Sequence, residues 1–402
     1  MLTKAGHLTY CSNIHPGADW DSHFAELKAN LPYIREKVAH DGKLAIGLRC
    51  AHEAALELEK PERLAEFREW LEENQLYVFC INGFPYGTFH QSVVKDYVHA
   101  PDWTTSMRLE YTRRLFRILA ALLPENMTGA VSTPPLSYRR WWKTEQNLSY
   151  AKEKATANLL ELVDDLIDLT EKTGRIFHVD IEPEPDGILD NGKDFFTWYR
   201  EILIPRGKEF LANRRGYNSE QAHQALLNHV RLCYDVCHFA VSYESAQWVV
   251  DELKKSGIKV GRLQLSSALR IDLDHNRDEK LGLLARQFRE PVYLHQVVAR
   301  TKTGELIHYP DLDAALEADH SGQLEWRVHF HVPLFIDDYG LLNSTQSDLK
   351  ELLELHKNEP LTEYLEIETY TWGVLPESLQ LPISDSIVRE LNWVKEQLKV
   401  HE

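Results

Sequence analysis

Along the chain, short β-branched and apolar runs, several alternating with polar residues, are each followed by a longer segment with apolar residues at every third or fourth position. The short runs lie near residues 7–13, 43–48, 76–82, 129–133, 175–182, 231–237, 259–266 and 364–370. Longer segments with helical periodicity cover 21–39, 61–74, 105–123, 150–173, 243–256 and 345–357. Period two marks a strand and period 3.6 a helix, because side chains alternate across the one and wind around the other. Pro61 stands in a first helical turn, and Gly174 and Gly257 stand where a helix hands over to a strand.

Eight such units predict an α/β fold closed into a (β/α)8 TIM barrel rather than an open sheet. No low-complexity tract or linker divides the chain, so residues 1–402 read as one domain. One stretch breaks the rhythm. Between the seventh and eighth runs, residues 291–300, 305–310 and 325–335 look like extra strands, with turns at Lys302-Thr303-Gly304 and Ser321-Gly322. They predict a β-rich insertion over about residues 285–335, covering the C-terminal mouth where barrels of this kind carry their chemistry.

Composition narrows the function. No apolar run approaches the roughly 20 residues that span a bilayer, and the opening residues lack a secretory pattern, so a cytoplasmic protein without a membrane span is expected. The five cysteines sit in or beside apolar runs with no Cys-x-x-Cys pair, and read as reduced core residues. A net charge of −17 opposes nucleic acid, whose binding depends on Lys and Arg neutralising phosphates, and points to a small-molecule partner. Neither a dinucleotide nor a P-loop glycine pattern follows any run.

The candidate chemistry lies at the ends of the last four runs. In the fifth, His178, Asp180 and Glu182 share one face, and Glu182 is last before Pro183 ends the strand. Glu184 follows it, with a solvated loop position as its simpler role. The sixth run ends in Asp235-Val236-Cys237-His238, whose carboxylate and imidazole can converge on one cation and suit zinc, manganese or iron. In the seventh, Gln264 is placed to offer an amide oxygen to a metal or to orient a substrate hydroxyl. The eighth places Glu366 and Glu368 on one face, Glu368 nearer the mouth and Glu366 in a salt bridge lower down. A buried carboxylate calls for a facing cation.

In the insertion, His329 and His331 share a strand face; His331 is assigned to the metal, and His329 and His295 to the substrate. Asn13, His15, Arg49 and Asn82 at earlier strand ends form a hydrogen-bonding wall for a polyhydroxylated or ring-shaped ligand. Arg49 and Arg270 are candidates to meet a phosphate.

Glu182, Asp235-x-x-His238 and Glu368 at strands five, six and eight resemble the arrangement in the xylose-isomerase-like barrels. These include sugar and sugar-phosphate isomerases and epimerases and AP endonucleases of the endonuclease IV type. The resemblance implies Glu182, Asp235 and Glu368 as ligands of a divalent metal (Zn, Mn or Mg), with His238 a ligand or an orienting group. Gln264 stands where that family has a histidine. The opening Cys11-Ser12-Asn13-Ile14-His15-Pro16-Gly17 and the segment 328–333 further resemble the EboE family of TIM-barrel metabolite-traffic proteins over the whole chain. That implies secondary-metabolite processing or traffic, with proteins of the same gene cluster as partners.

Three readings follow. The first is an isomerase or epimerase with Glu182 and Glu368 exchanging a proton. The second is a multi-metal phosphoester hydrolase acting on a small phosphorylated metabolite. The third is a non-catalytic metabolite carrier.

Overall fold

The computed structural model describes residues 1–87, 95–289, 291–372, 375 and 380–399. Eight parallel strands form the barrel: Gly6–Tyr10, Leu44–Arg49, Leu76–Asn82, Gly129–Thr133, Phe177–Ile181, Val230–Asp235, Val260–Leu265 and Tyr364–Ile367. Strands two to eight pair in sequence order, and the eighth pairs with the first, Leu365 opposite Leu8. The ring closes between the first and second through an isolated parallel bridge, Cys11 to Gly47. There the Thr9 hydroxyl donates to the Ala45 carbonyl at 2.6 Å and accepts from the Gly47 amide at 3.1 Å. A short strand, Leu2–Thr3, folds back antiparallel on the first.

Helices pack around the ring where the 3.6 period placed them, including Trp20–Val38, Pro61–Glu73, Ser106–Leu122, Glu145–Thr173, Ala246–Ser256 and Gln346–Asn358. Local chemistry sets their ends. Asp19 accepts from Ser22 N at 2.8 Å, and Thr144 accepts from Asn147 N at 3.2 Å, each satisfying an orphan amide of a first turn. Gly174 closes its helix at φ 70°, a left-handed conformation that costs glycine least. Periodicity had not marked the helices Gly192–Trp198, Ile204–Arg215, Ser219–His229 and Ile383–Gln397.

A second sheet of five antiparallel strands sits between barrel strands seven and eight. Its order is Leu306–Tyr309, Val297–Thr301, Gln323–Val328, Leu269–Asp272 and Asn343–Ser344. Leu269–Asp272 and Asn343–Ser344 flank the expected 285–335 segment on both sides. They complete the sheet by pairing with strands distant in sequence, which local alternation does not reveal.

The floor of the barrel interior is ionic. Arg262, fully buried, donates to Glu366 at 2.9 Å and lies 3.4 Å from Asp180, and the Asp180 carboxylate meets His178 at 2.6 Å. Glu366 thus takes the lower salt bridge expected of it. Glycines make the room: a Cβ on Gly261 would lie 1.9 Å from an Asp180 oxygen, and one on Gly47 2.6 Å from the Glu366 carboxyl carbon.

Candidate metal centre

Above this floor, strand ends deliver the groups singled out from the sequence. Glu182 follows the fifth strand, and Pro183 and Pro185, which carry no N–H, turn the chain away from the sheet. Asp235 ends the sixth strand and caps the helix Val236–Val241, its Oδ1 accepting from His238 N at 3.3 Å. The Asp-x-x-His spacing is therefore a helix cap that brings the imidazole back over the carboxylate. Glu368 follows the eighth strand, and His329 and His331 follow Gln323–Val328 of the small sheet.

One ligand atom from each of Glu182, Asp235 and Glu368 lies within 4.8 Å of the others, and the same holds for Asp235, His238 and His331. All five side chains are buried. Among the described residues, three of their buried polar atoms have no hydrogen-bond partner: Glu182 Oε2, Asp235 Oδ2 and His331 Nε2. Buried polar atoms are almost always satisfied, so three such atoms in clusters of potential ligands that share Asp235 mark where a cation fits. A mixed set of carboxylate oxygens and imidazole nitrogens suits Zn, Mn or Mg.

The surrounding groups hold these atoms in place. His331 Nδ1 donates to the Glu368 backbone carbonyl at 2.9 Å, and His238 Nδ1 to the Pro183 carbonyl at 2.9 Å. His329 Nδ1 donates to Gln296 Oε1 at 2.8 Å, and the Gln296 amide is itself oriented by donating to the Pro185 carbonyl at 3.0 Å. All three Nε2 atoms are left as lone pairs, the orientation a metal-binding imidazole takes. Ser266 donates to Asp235 Oδ1 at 2.6 Å. Asn13 and Asn82 donate to Glu368 Oε1 at 2.5 and 3.3 Å, and Gln264 Nε2 donates to Glu368 Oε2. The Gln264 oxygen accepts from the Cys233 thiol at 3.2 Å, so Gln264 is placed to orient Glu368 rather than to offer its own oxygen.

Electrostatics follow from crowding acids out of water. Burial, then the charges of Glu368 and Asp235, pushes the Glu182 carboxyl well above the usual range. Burial and then Asp235 do the same to Glu368. Burial also works against the Asp235 charge, but His238, His331 and the Ser266 hydrogen bond hold its carboxyl below its ordinary value. Burial lowers His331, although Asp235 opposes it, and burial with His238 and His331 lowers His329 far below the usual imidazole value. The site is thus poised to exchange protons for a cation.

A pocket of about 60 Å³ has Asn13, Asn82, Glu182, His238, His329, His331 and Glu368 among its walls. His15 and Arg49 are not among the lining residues: His15 Nε2 meets the Tyr10 hydroxyl at 2.8 Å, and Arg49 donates to the Gly17 and Gly87 carbonyls at 3.0 and 2.5 Å. His295 stacks on Phe330 with ring centroids 4.5 Å apart and meets the His329 carbonyl at 2.9 Å, buttressing the His-x-His segment from behind. Sequence reasoning passed over Cys237, whose Sγ lies within 4.8 Å of ligand atoms of His329 and His331. It also passed over Tyr293, Tyr370 and Lys95 as lining residues, which have no strand-end signal to mark them.

No known family profile and no curated protein sequence matches the chain. Solved structures do. A xylose isomerase-like TIM barrel protein from Mycobacterium smegmatis in complex with magnesium aligns with TM-score 0.50 and 11% identity, over 98% of this chain and 96% of that one. An IolI protein with a bound zinc atom aligns at TM-score 0.48 and 12% identity, covering 98% of each chain. A D-tagatose 3-epimerase-like protein aligns at TM-score 0.48 and 13% identity, over 98% of this chain and 97% of that one. Similarity at this level of identity is one of fold, and the fold is the (β/α)8 TIM barrel. Among the described residues, no helix is long and apolar enough to cross a membrane.

Proposed function

We propose that the chain is a cytoplasmic, divalent-metal-dependent protein that acts on a small polyhydroxylated or sugar-like metabolite as an isomerase or epimerase. The observation that carries this reading is the pair of clusters that share Asp235, one with Glu182 and Glu368 and one with His238 and His331, in which Glu182 Oε2, Asp235 Oδ2 and His331 Nε2 are buried and unpartnered among the described residues. Glu182, Asp235, Glu368 and His331 would hold the cation. When bound, a divalent metal polarises a carbonyl and its neighbouring hydroxyl and acidifies the C–H between them. Glu182 and Glu368, ionised when they hold the cation, would remove and return that proton. Asn13, Asn82 and Gln264 keep the Glu368 carboxylate in one orientation through the exchange. His329 and Asn82 are among the residues that line the chamber. The motif at residues 11–17 and the segment 328–333 extend the reading to secondary-metabolite processing or traffic beside proteins of the same gene cluster.

Metal-loaded protein incubated with a panel of ketoses in deuterated water should incorporate deuterium at carbon, and Glu368→Gln should abolish it. Exchange with no ketose or polyol counts against catalysis. If Glu368→Gln and Asp235→Asn also kept full cellular function, a carrier role would replace it.

One observation favours a second reading. His238 Nε2 and His329 Nε2 are 3.1 Å apart, and with both Nδ1 protons committed elsewhere their lone pairs would repel without a cation or proton between them. A second metal there would suit a phosphoester hydrolase. Elemental analysis giving two or more zinc per chain would support it, and one would not.

A further inference from the structure

We infer that Glu390, on the helix Ile383–Gln397, is a positioning residue of the metal centre. It ties the segment that carries Glu368 to the segment that carries His331, and so sets the geometry in which the two take a cation. The inference rests on the reading that Glu368 and His331 are metal ligands, and adds what fixes one against the other.

Glu390 stands in the buried stripe of its helix with Ser386, Ile387, Leu391 and Val394, at the spacing of an apolar face. An acid at such a position is costly unless it is hydrogen-bonded. One oxygen, Oε1, accepts from two donors, the Thr369 hydroxyl at 2.7 Å and the Leu334 amide at 3.1 Å. Thr369 directly follows Glu368, and Leu334 comes three residues after His331. A single atom therefore joins the end of the eighth barrel strand to the arm that leaves the second sheet.

The other groups of that arm are already committed. Val332 N donates to the Ser267 carbonyl at 2.9 Å, Pro333 has no N–H, and the Leu334 carbonyl accepts from Gln346 at 2.6 Å. Without Glu390 the Leu334 amide would be a buried donor with no partner. The two segments also meet at the ligand residues themselves, where His331 Nδ1 donates to the Glu368 carbonyl at 2.9 Å and the Thr371 hydroxyl to the His331 carbonyl. Glu390 adds a tie beyond those bonds. Neither it nor Thr369 nor Leu334 is among the residues that line the pocket, whereas Glu368 and His331 are. The acid thus acts through the two segments and not by contact with a cation. Burial pushes its carboxyl up to about 8, so at neutral pH it is uncharged and accepts as an amide oxygen would. Glutamine reproduces that acceptor, and leucine removes it.

The test takes full-length Glu390→Leu, Glu390→Gln and Thr369→Val, with zinc affinity from chelator competition and hydrogen exchange followed by mass spectrometry on the metal-free proteins. Glu390→Leu should lower zinc affinity about tenfold or more and speed exchange in residues 330–334 and 366–369, while the helix Glu145–Thr173 exchanges at the parent rate. Its cobalt(II) form should show altered visible bands. Glu390→Gln should keep the parent's affinity and spectrum. Thr369→Val, which removes one of the two donors, should cost about threefold in affinity, and it carries the test if the leucine variant does not fold. Parent-like affinity in Glu390→Leu or Thr369→Val overturns the inference, as does a glutamine variant that falls as far as the leucine one. Exchange that rises equally along the whole chain also overturns it, because that is a general loss of stability. A parent protein that takes up no zinc, manganese or magnesium overturns the metal reading; faster exchange confined to the two segments would still uphold the tie, and its absence would remove that too.

Discussion

Replacing Arg262 by methionine tests whether the ionic floor beneath the site is held by charge pairing. The guanidinium is fully buried, donates to Glu366 at 2.9 Å and to the Ile81 carbonyl at 3.3 Å, and lies 3.4 Å from Asp180. Burial works against its charge, and Cys80, Glu366 and Asp180 more than offset that. Methionine fills the aliphatic volume and leaves two carboxylates without their cation. Asp180 keeps His178 at 2.6 Å, and Glu366 keeps only the Cys80 thiol at 2.8 Å. Breaking a buried pair costs about 3–5 kcal/mol, and with one of the two acids still partnered the expected loss lies near the lower end, about 3 kcal/mol. Urea unfolding of the metal-free protein measures it, and Glu366→Leu added to Arg262→Met should recover about half or more. A loss below about 1 kcal/mol, or a double variant no more stable than the single one, would refute the reasoning.

Other outcomes follow from the same geometry. Glu390 is fully buried, accepts from Thr369 at 2.7 Å and from Leu334 N at 3.1 Å, and burial pushes its carboxyl up to about 8. Folded protein therefore holds a proton that the unfolded chain releases above about pH 4.3, so this group's contribution to stability falls as pH rises from there to about 8. Glu390→Gln removes that slope; its unfolding midpoint should gain on the parent between pH 5.5 and 8.5, and a constant difference would sink the assignment. Gln264→Leu takes away a donor to Glu368, and chelator competition should show metal affinity falling about 10–100-fold. Unchanged affinity would mean that the amide does not orient the carboxylate. Gly261→Ala should fail to give folded protein, because its Cβ would lie 1.9 Å from an Asp180 oxygen; Gly174→Ala, with open space at the same test, should fold and lose only a modest amount of stability, both read by circular dichroism.

Much of the fold was legible because it is written in local periodicity. All eight barrel strands were marked by short apolar runs, and the caps at Gly174 and Gly257 by residue type. The small sheet was legible only in part. Leu269–Asp272 and Asn343–Ser344 join it through partners some 55 to 75 residues away in sequence, a pairing that depends on where the barrel brings the chain back.

For the site, the chain itself determined which residue types stand at the strand ends, because an acid or imidazole at the last position of a strand or just past it lies at the mouth. Glu182, Asp235, His238 and Glu368 follow from that rule. Tertiary structure decided how they are used. Gln264 gives its amide hydrogen to Glu368, and His331 arrives from the second sheet with its Nδ1 tied to the Glu368 backbone, leaving Nε2 for the shared space. His99 reaches Glu184 from a segment with no strand signal at all. Strand alternation is a local property set by backbone geometry, whereas the direction of a lone pair is set by what lies across the chamber, and only the folded chain brings those partners together.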